Sequence, residues 1–132
     1  IREKAMEMLR FVGMEHTANM TPGSLSFGNQ RMVELARSLM SDPELLLLDE
    51  PASGLNDTEV EHFMELLSAI RKKGITILIV EHNMKVVMNV SDDIVVIDFG
   101  KYLAEGDPVS ICADPRVIEA YLGSECNIGG PA

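Results

Sequence analysis

Apolar residues along this chain recur at helical spacing in some segments and form short runs in others. Helical spacing occupies residues 1–12, 27–40, 57–72 and 83–90, and the nearly unbroken apolar runs occupy residues 45–48, 75–80 and 93–98. Apolar residues every three or four positions are typical of a helix with one face on a core, whereas short runs bounded by turn residues are typical of buried strands. The alternation predicts an α/β fold with a parallel sheet flanked by helices.

Cap and stop residues mark the ends of the predicted helices. Ser26 precedes the second helical segment, and Asn56 with Glu59 three residues later forms a capping-box pattern before the third. Gly13 and Gly74 are typical C-terminal stops for the first and third segments. The helix boundaries are therefore expected at these residues.

The last part of the chain is predicted to form a hairpin and two short helices. Phe99-Gly100 is a turn that leads the run at 93–98 back into a strand at 101–105. Two aspartate–proline pairs then each place an N-cap before a proline at the first helical position. These pairs are Asp107-Pro108 and Asp114-Pro115. The second of these helices is expected to end at Leu122-Gly123.

The stretch Leu45–Pro51 reads Leu-Leu-Leu-Leu-Asp-Glu-Pro, and its apolar residues predict a strand buried on both faces. Asp49 and Glu50 come at its carboxyl end, the edge of a parallel sheet at which α/β proteins bind ligands. Where the strand gives way to a loop, both carboxylates can reach one cleft. A buried strand that simply meets solvent through two polar residues would show the same pattern.

A second candidate site is the helix start at Ser26 and Gly28. A small hydroxyl residue and a glycine leave the first backbone N–H groups accessible, and the helix dipole adds partial positive charge, so this end is suited to an anion. The alternative is an ordinary N-cap without a ligand.

Charge and composition restrict the partners. The 132 residues carry a formal net charge of -10 with a pI near 4.6, so a large nucleic-acid surface is not expected. A phosphate ligand would instead be held by local dipoles, a metal ion or a few cations. No apolar stretch has the length needed to span a bilayer.

Taken together, the motifs resemble those of the ATP-binding subunits of ABC transporters. Leu25–Arg31 is similar to the signature motif, Leu45–Glu50 to the Walker B strand and Ser53–Asn56 to the D-loop, and His82 stands where the switch histidine of that family stands. The stretch from Ala104 to Gly123 further resembles the ATPases of branched-chain amino-acid importers. The resemblance implies the C-terminal part of a P-loop NTPase domain, with a C-terminal β-hairpin and helix.

For the acidic strand end the resemblance implies catalysis with ATP and Mg²⁺. Asp49 would be the metal ligand, because Mg²⁺ prefers carboxylate and phosphate oxygens. Glu50 would orient and deprotonate the attacking water. His82 would contact the γ-phosphate and that water. Glu50 and His82 are thus the expected catalytic residues.

The signature and D-loop positions would act on the ATP of the opposite subunit. The resemblance implies that Ser26, Gly28 and Gln30 bind its γ-phosphate and that Asn56 makes the D-loop contact. Phe27 stands where most members have glycine, and Asn56 where many have aspartate, so the D-loop contact becomes at most a neutral hydrogen bond.

One motif of the family is absent from the 132 residues. No Gly-x-x-x-x-Gly-Lys followed by Ser or Thr occurs, and the only Gly-Lys pair, Gly100-Lys101, lacks the earlier glycine and the hydroxyl. The chain is therefore expected to continue upstream of Ile1 in the parent domain, to hold no nucleotide tightly by itself and to be unable to hydrolyse ATP alone. Residues 1–41 would be a remnant of the helical subdomain, 42–106 part of the α/β core and 107–132 a helical tail.

The implied partners are a second ATP-binding subunit and membrane permease subunits, with the parent complex on the cytoplasmic face of the membrane. Self-association of the chain is also expected, because the apolar strands at 75–80 and 93–98 carry no charges that would protect an unpaired edge. Two alternatives stay open. The chain could be a non-catalytic module that binds or oligomerises, or part of a soluble ABC ATPase.

Overall fold

The computed structural model describes residues 1–122. The helices within this range are α1 (Arg2–Phe11), α2 (Phe27–Leu39), α3 (Asp57–Lys72), α4 (Met84–Val90), α5 (Pro108–Ala113) and α6 (Pro115–Val117). The strands are β1 (Leu45–Asp49), β2 (Thr76–Val80), β3 (Ile94–Asp98) and β4 (Lys101–Gly106). A π-helical turn, Ile118–Leu122, follows α6. The chain divides into two compact units, one from Ile1 to Val80 and the other from Glu81 onward.

The first unit combines three helices with a parallel pair of strands. β1 and β2 pair from Leu45↔Thr76 to Asp49↔Val80, and α1 packs against α2. The helices bury one stripe each, as their apolar spacing predicts; that of α3 is Val60, Phe63, Leu66, Leu67 and Ile70. The parallel pairing confirms the predicted α/β class.

The prediction that the Leu45–Pro51 strand is buried on both faces was wrong. Alternate residues of β1 and β2 lie on one exposed face, where Leu47 is 65% and Leu78 59% exposed, while Leu46 on the opposite face is buried. An apolar run indicates that both faces of a strand can be buried, but each face is buried only where another element packs against it. Among residues 1–122, such packing covers one face of the β1–β2 pair.

The second unit is built on the predicted hairpin. β3 and β4 pair antiparallel, and Phe99 (φ 46°) and Gly100 (φ 75°) form the turn between them. Two successive residues with positive φ are the geometry of a type I′ turn, whose twist matches that of the strands. The core beneath the hairpin contains Met88, Ile94, Val96, Ala104, Ile111 and Val117.

The predicted helix starts are confirmed by side-chain caps. Ser26, Asn56, Asn83, Asp107 and Asp114 each accept a hydrogen bond from a backbone N–H in the first turn of the helix that follows. The expected helix end at Leu122-Gly123 lies partly outside the described residues. Within those residues, no helix combines the length and the apolar character that a membrane crossing needs.

Candidate functional site

Asp49 and Glu50 lie where β1 and β2 end together. Asp49 is in register with Val80, and the Glu50 N–H donates to the Val80 carbonyl at 2.8 Å, so the pairing continues one residue beyond β1. Both carboxylates are exposed. The predicted position of the two acids at the carboxyl edge of a parallel pair is therefore what the structure shows.

The backbone of Glu50 has an unusual conformation. Its φ is 44°, in the left-handed region that residues with a Cβ rarely adopt. The Ser53 N–H donates to the Glu50 carbonyl at 3.1 Å, which closes a turn immediately after the strand. Residues held in this region are concentrated at functional sites. Because Glu50 leaves the extended conformation, its side chain need not point away from that of Asp49, as it would within a strand.

The acidic end suits a hard cation that is shared with a ligand. Exposed carboxylate oxygens are the protein donors that Mg²⁺ prefers. Among residues 1–122, no cluster of three or more His, Cys, Asp or Glu side chains forms a metal site. Mg²⁺ that is bound through one or two carboxylates usually completes its shell with oxygens from water and phosphate.

Ser26 and Gln30 organise the start of α2. The Ser26 hydroxyl oxygen accepts the Asn29 N–H at 3.3 Å, and the Gln30 side-chain amide donates to the Leu25 carbonyl at 3.0 Å. Because the Ser26 hydroxyl is used here as an acceptor, its proton is available for donation. Ser26 is exposed, so its hydroxyl can also donate to a group outside the helix, and the predicted anion site stays a prediction.

Gly28 has a neighbour that sequence analysis missed. It is buried, and a Cβ atom at this position would stand 2.2 Å from Glu59 Oε1 and 2.5 Å from the carboxyl carbon of Glu59. The glycine therefore leaves room for a side chain of the same chain. Glu59 was identified from sequence only as part of a capping box, and no local pattern connects it with a residue 31 positions earlier.

Phe27 lies against the loop at Ser53–Asn56. Gly54 has a φ of 79°, and a Cβ atom there would stand 2.7 Å from a Phe27 ring carbon. The Arg31 guanidinium lies over the Phe27 ring, 5.0 Å from its centroid, and pairs with Glu34 at 3.0 Å. The departure from glycine at position 27 thus adds a contact between the signature-like and D-loop-like segments.

Asn56 and Glu59 form a complete capping box at the start of α3. Asn56 Oδ1 accepts the Glu59 N–H at 2.9 Å, and Glu59 Oε2 accepts the Asn56 N–H at 2.9 Å. The carbonyl oxygen of the Asn56 side chain is therefore engaged within the chain, which leaves its amide group for any contact with a partner.

His82 belongs to the second unit and is exposed. Its backbone N–H and that of Asn83 both donate to Glu81 Oε2 at 3.1 Å.

Two pairs of predicted site residues come close together in the first unit. Gly28 lies beside the segment of Asn56, and Asp49 lies next to Glu50 at the strand end.

Two family models match the chain. The model described as "ABC transporter" matches residues 1–53, and the model described as "Branched-chain amino acid ATP-binding cassette transporter" matches residues 103–126. Part of the second match lies beyond the described residues. The two matches leave residues 54–102 between them, and this segment contains His82 and all of the D-loop-like residues except Ser53.

Proteins with similar sequences are named as ATP-binding proteins of amino acid transport. The chain is 45% identical over 122 residues to the high-affinity branched-chain amino acid transport ATP-binding protein BraF of Pseudomonas aeruginosa. It is 43% identical, also over 122 residues, to LivG of Escherichia coli, whose name states the same role. Each alignment covers 92% of this chain but 48% of the relative, so the chain spans about half the length of these proteins.

Solved structures of ABC-transporter proteins are also similar to this chain. The ADP conformation of MJ1267, an ATP-binding cassette of an ABC transporter, matches with a TM-score of 0.82 at 33% identity, over 92% of this chain and 50% of that one. The cbiO1 protein of Clostridium perfringens, part of the ABC transporter complex cbiONQ, matches with a TM-score of 0.78 at 34% identity, over 89% of this chain and 47% of that one.

Proposed function

Since this chain belongs to the ATP-binding proteins of ABC transporters, we propose that it works as part of a subunit that hydrolyses ATP to drive import across a membrane. The observation that carries the proposal is the strand end at Asp49 and Glu50. There a parallel pair places two adjacent exposed carboxylates at its carboxyl edge, and the second carboxylate is held in a left-handed backbone conformation.

The two carboxylates would have different tasks. Asp49 would hold Mg²⁺, which supplies charge stabilisation to the phosphate oxygens when it is bound. Glu50, one residue further along the turn, would accept a proton from the water that attacks the γ-phosphate. Because Glu50 would not bind the metal itself, its carboxylate would remain free of the metal's charge and able to accept a proton. His82 would contact the γ-phosphate and help to orient that water.

The N-terminal end of α2 would act on a nucleotide held by a second subunit. Its first N–H groups have no carbonyl partner within the helix, and the helix dipole adds partial positive charge. Ser26 adds a hydroxyl donor, Gly28 keeps the backbone close, and Gln30 holds the loop through the Leu25 carbonyl. Asn56 would contribute the D-loop contact through its side-chain amide.

The match at residues 103–126 and the names of the relatives support a finer proposal. The transported solutes would be branched-chain amino acids, and the partners would be permease subunits and a second ATP-binding subunit. The subunit would then be cytoplasmic and peripheral, on the cytoplasmic face of the membrane.

The test is Glu50→Gln in the complete subunit that carries this sequence. The amide keeps the size of the side chain but cannot take up the proton, so we expect ATP turnover to fall by at least about a hundredfold. Nucleotide-driven dimerisation should persist, because Asp49 and the α2 end are unchanged. Glu61→Gln, which makes the same change on the exposed face of α3, is the control. Turnover by the Glu50 variant near the original rate would overturn the assignment.

A second candidate is a non-catalytic module, favoured by one feature of the chain. The end of α2 is formed and capped by residues of the chain itself, in a sequence that contains no phosphate-binding loop. Such a chain could offer Ser26 and Gly28 to a complete subunit without hydrolysing ATP. Adding the chain to a complete subunit decides this, because a binding module would change the ATP turnover of that subunit.

A further inference from the structure

A single carboxylate touches two segments that sequence analysis treated as separate motifs. Glu59 Oε2 accepts the Asn56 N–H at 2.9 Å, and the same carboxyl group lies against the face of Gly28 where a Cβ atom would be. Glu59 is half-buried. Its charge lies in the first turn of α3 and beside the first turn of α2, where two helix dipoles favour a negative group.

From this arrangement we infer that Glu59 is a positioning residue, which holds the loop Ser53–Asn56 and the N-terminal end of α2 in one fixed arrangement. The contact of Phe27 with Gly54 joins the same two segments on their exposed side. The inference rests on the proposed function in one respect, since both segments would face a nucleotide. The contact itself is a property of the described chain.

The geometry makes Gly28 and Glu59 energetically dependent on each other. A side chain at position 28 would overlap the Glu59 carboxylate, which would have to shift from the position in which its Oε2 accepts the Asn56 N–H. Substituting Gly28 and removing the Glu59 carboxylate should therefore have the same consequence for the loop. If Gly28 were needed only for a close approach to phosphate, substituting it would leave the loop unchanged.

Hydrogen exchange of the peptide 53–58 in the complete subunit tests this dependence without nucleotide. Loss of the Asn56 hydrogen bond in Glu59→Ala should raise the exchange rate about fivefold, and Gly28→Ala should raise it by a similar factor. The double variant should exchange no faster than either single variant. Glu65→Ala, an exposed change on the same helix, is the control and should leave the rate unchanged. Multiplying effects in the double variant, or no effect of Gly28→Ala, would overturn the inference.

ATP hydrolysis by the same variants tests the consequence for activity. Glu59→Ala should lower kcat about tenfold through misplacement, with little change in KM. Glu59→Gln retains an oxygen acceptor for the Asn56 N–H and should restore kcat to within about twofold. A loss in Glu59→Ala no larger than in Glu65→Ala would refute the positioning role. If the unaltered subunit does not hydrolyse ATP, the proposed function fails, while the exchange rates still decide whether Glu59 joins the two segments.

Discussion

At the scale of single residues, Glu50 is the position where the proposed function and the stability of the fold are most clearly opposed. A left-handed conformation costs a residue with a Cβ about 1–2 kcal/mol, and glycine adopts it without that cost. The chain nevertheless has a glutamate at this position, with φ at 44°. A carboxylate at this point of the turn is the property that glycine could not supply.

We therefore expect Glu50→Gly to raise stability while it abolishes ATP turnover in the complete subunit. Relief of the backbone strain, less the greater flexibility of glycine in the unfolded chain, should leave a gain of about 1 kcal/mol. For a protein of about 150–250 residues, a gain of about 1 kcal/mol corresponds to an increase in Tm of about 2–4 °C. Thermal unfolding of the two proteins measures the shift.

Asp42 offers a matched control because its φ is 49° and it is exposed. Its ion pair with Lys4 is on the surface, where such pairs contribute little. Asp42→Gly should therefore raise Tm by a similar amount and leave turnover unchanged. A lower Tm in Glu50→Gly would show that other interactions of the Glu50 side chain outweigh the strain.

At the scale of single elements, the last helices depend on aspartate caps. Asp107 Oδ1 accepts the Ser110 N–H at 2.7 Å, and this hydrogen bond lowers the pKa of Asp107. The side chain of Arg116 donates two hydrogen bonds to Asp114, at 2.8 and 3.2 Å, and lowers the pKa of Asp114. Each lowered pKa means that the folded chain favours the ionised carboxylate.

The start of α5 should accordingly weaken in acid. A carboxylate whose pKa is lowered on folding stabilises the fold above its ordinary value of 3.8, and this contribution is lost as pH falls through the lower pKa of the folded chain. The Ser110 amide resonance, followed by NMR, should shift below pH 3.8. Asp107→Asn caps comparably without titrating, so its Ser110 resonance should not shift there. An unchanged Ser110 shift in the original chain would contradict the prediction.

At the scale of the whole molecule, the chain exposes more apolar strand surface than the sequence indicates. Leu45, Leu47, Leu78 and Val80 are each more than half exposed on one face of the β1–β2 pair. Exposed apolar patches and unpaired strand edges are sites of association. The earlier expectation of self-association was based on strand edges, and this face adds a second reason for it.

We predict that the 132-residue chain forms dimers or larger assemblies in dilute solution. Light scattering measures the mass directly. Leu47→Lys places a charge in the middle of the exposed face and should shift the population toward monomer, whereas Val109→Lys, an exposed apolar position in the second unit, should not. A compact monomer that unfolds cooperatively would contradict the prediction.

We also predict that the 132-residue chain binds Mg-ATP weakly or not at all. Its sequence contains no phosphate-binding loop, the segment whose backbone N–H groups and lysine hold the phosphates in P-loop proteins. Calorimetry with ATP and Mg²⁺ is the measurement. Stoichiometric binding at micromolar affinity would show that another part of the chain performs the task of that loop.

The sequence alone determined the features of this protein that depend on neighbouring residues. Helix starts were predicted because a cap bonds within its own first turn, as at Asn56, and the hairpin was predicted because Phe99-Gly100 forms its turn locally. The acidic strand end was predicted because an apolar run, two acids and a proline follow one another directly. The strand boundaries differ by only one or two residues from those expected.

Only the tertiary structure decided which strand faces are buried and which residues far apart in the sequence are in contact. The run at Leu45–Asp49 is apolar throughout, but which of its residues are buried depends on what covers each face. The left-handed φ of Glu50 follows from the turn that begins where β1 and β2 end together. The contact of Glu59 with Gly28 exists because two helix starts come together in space, and no local pattern records a proximity that arises from packing.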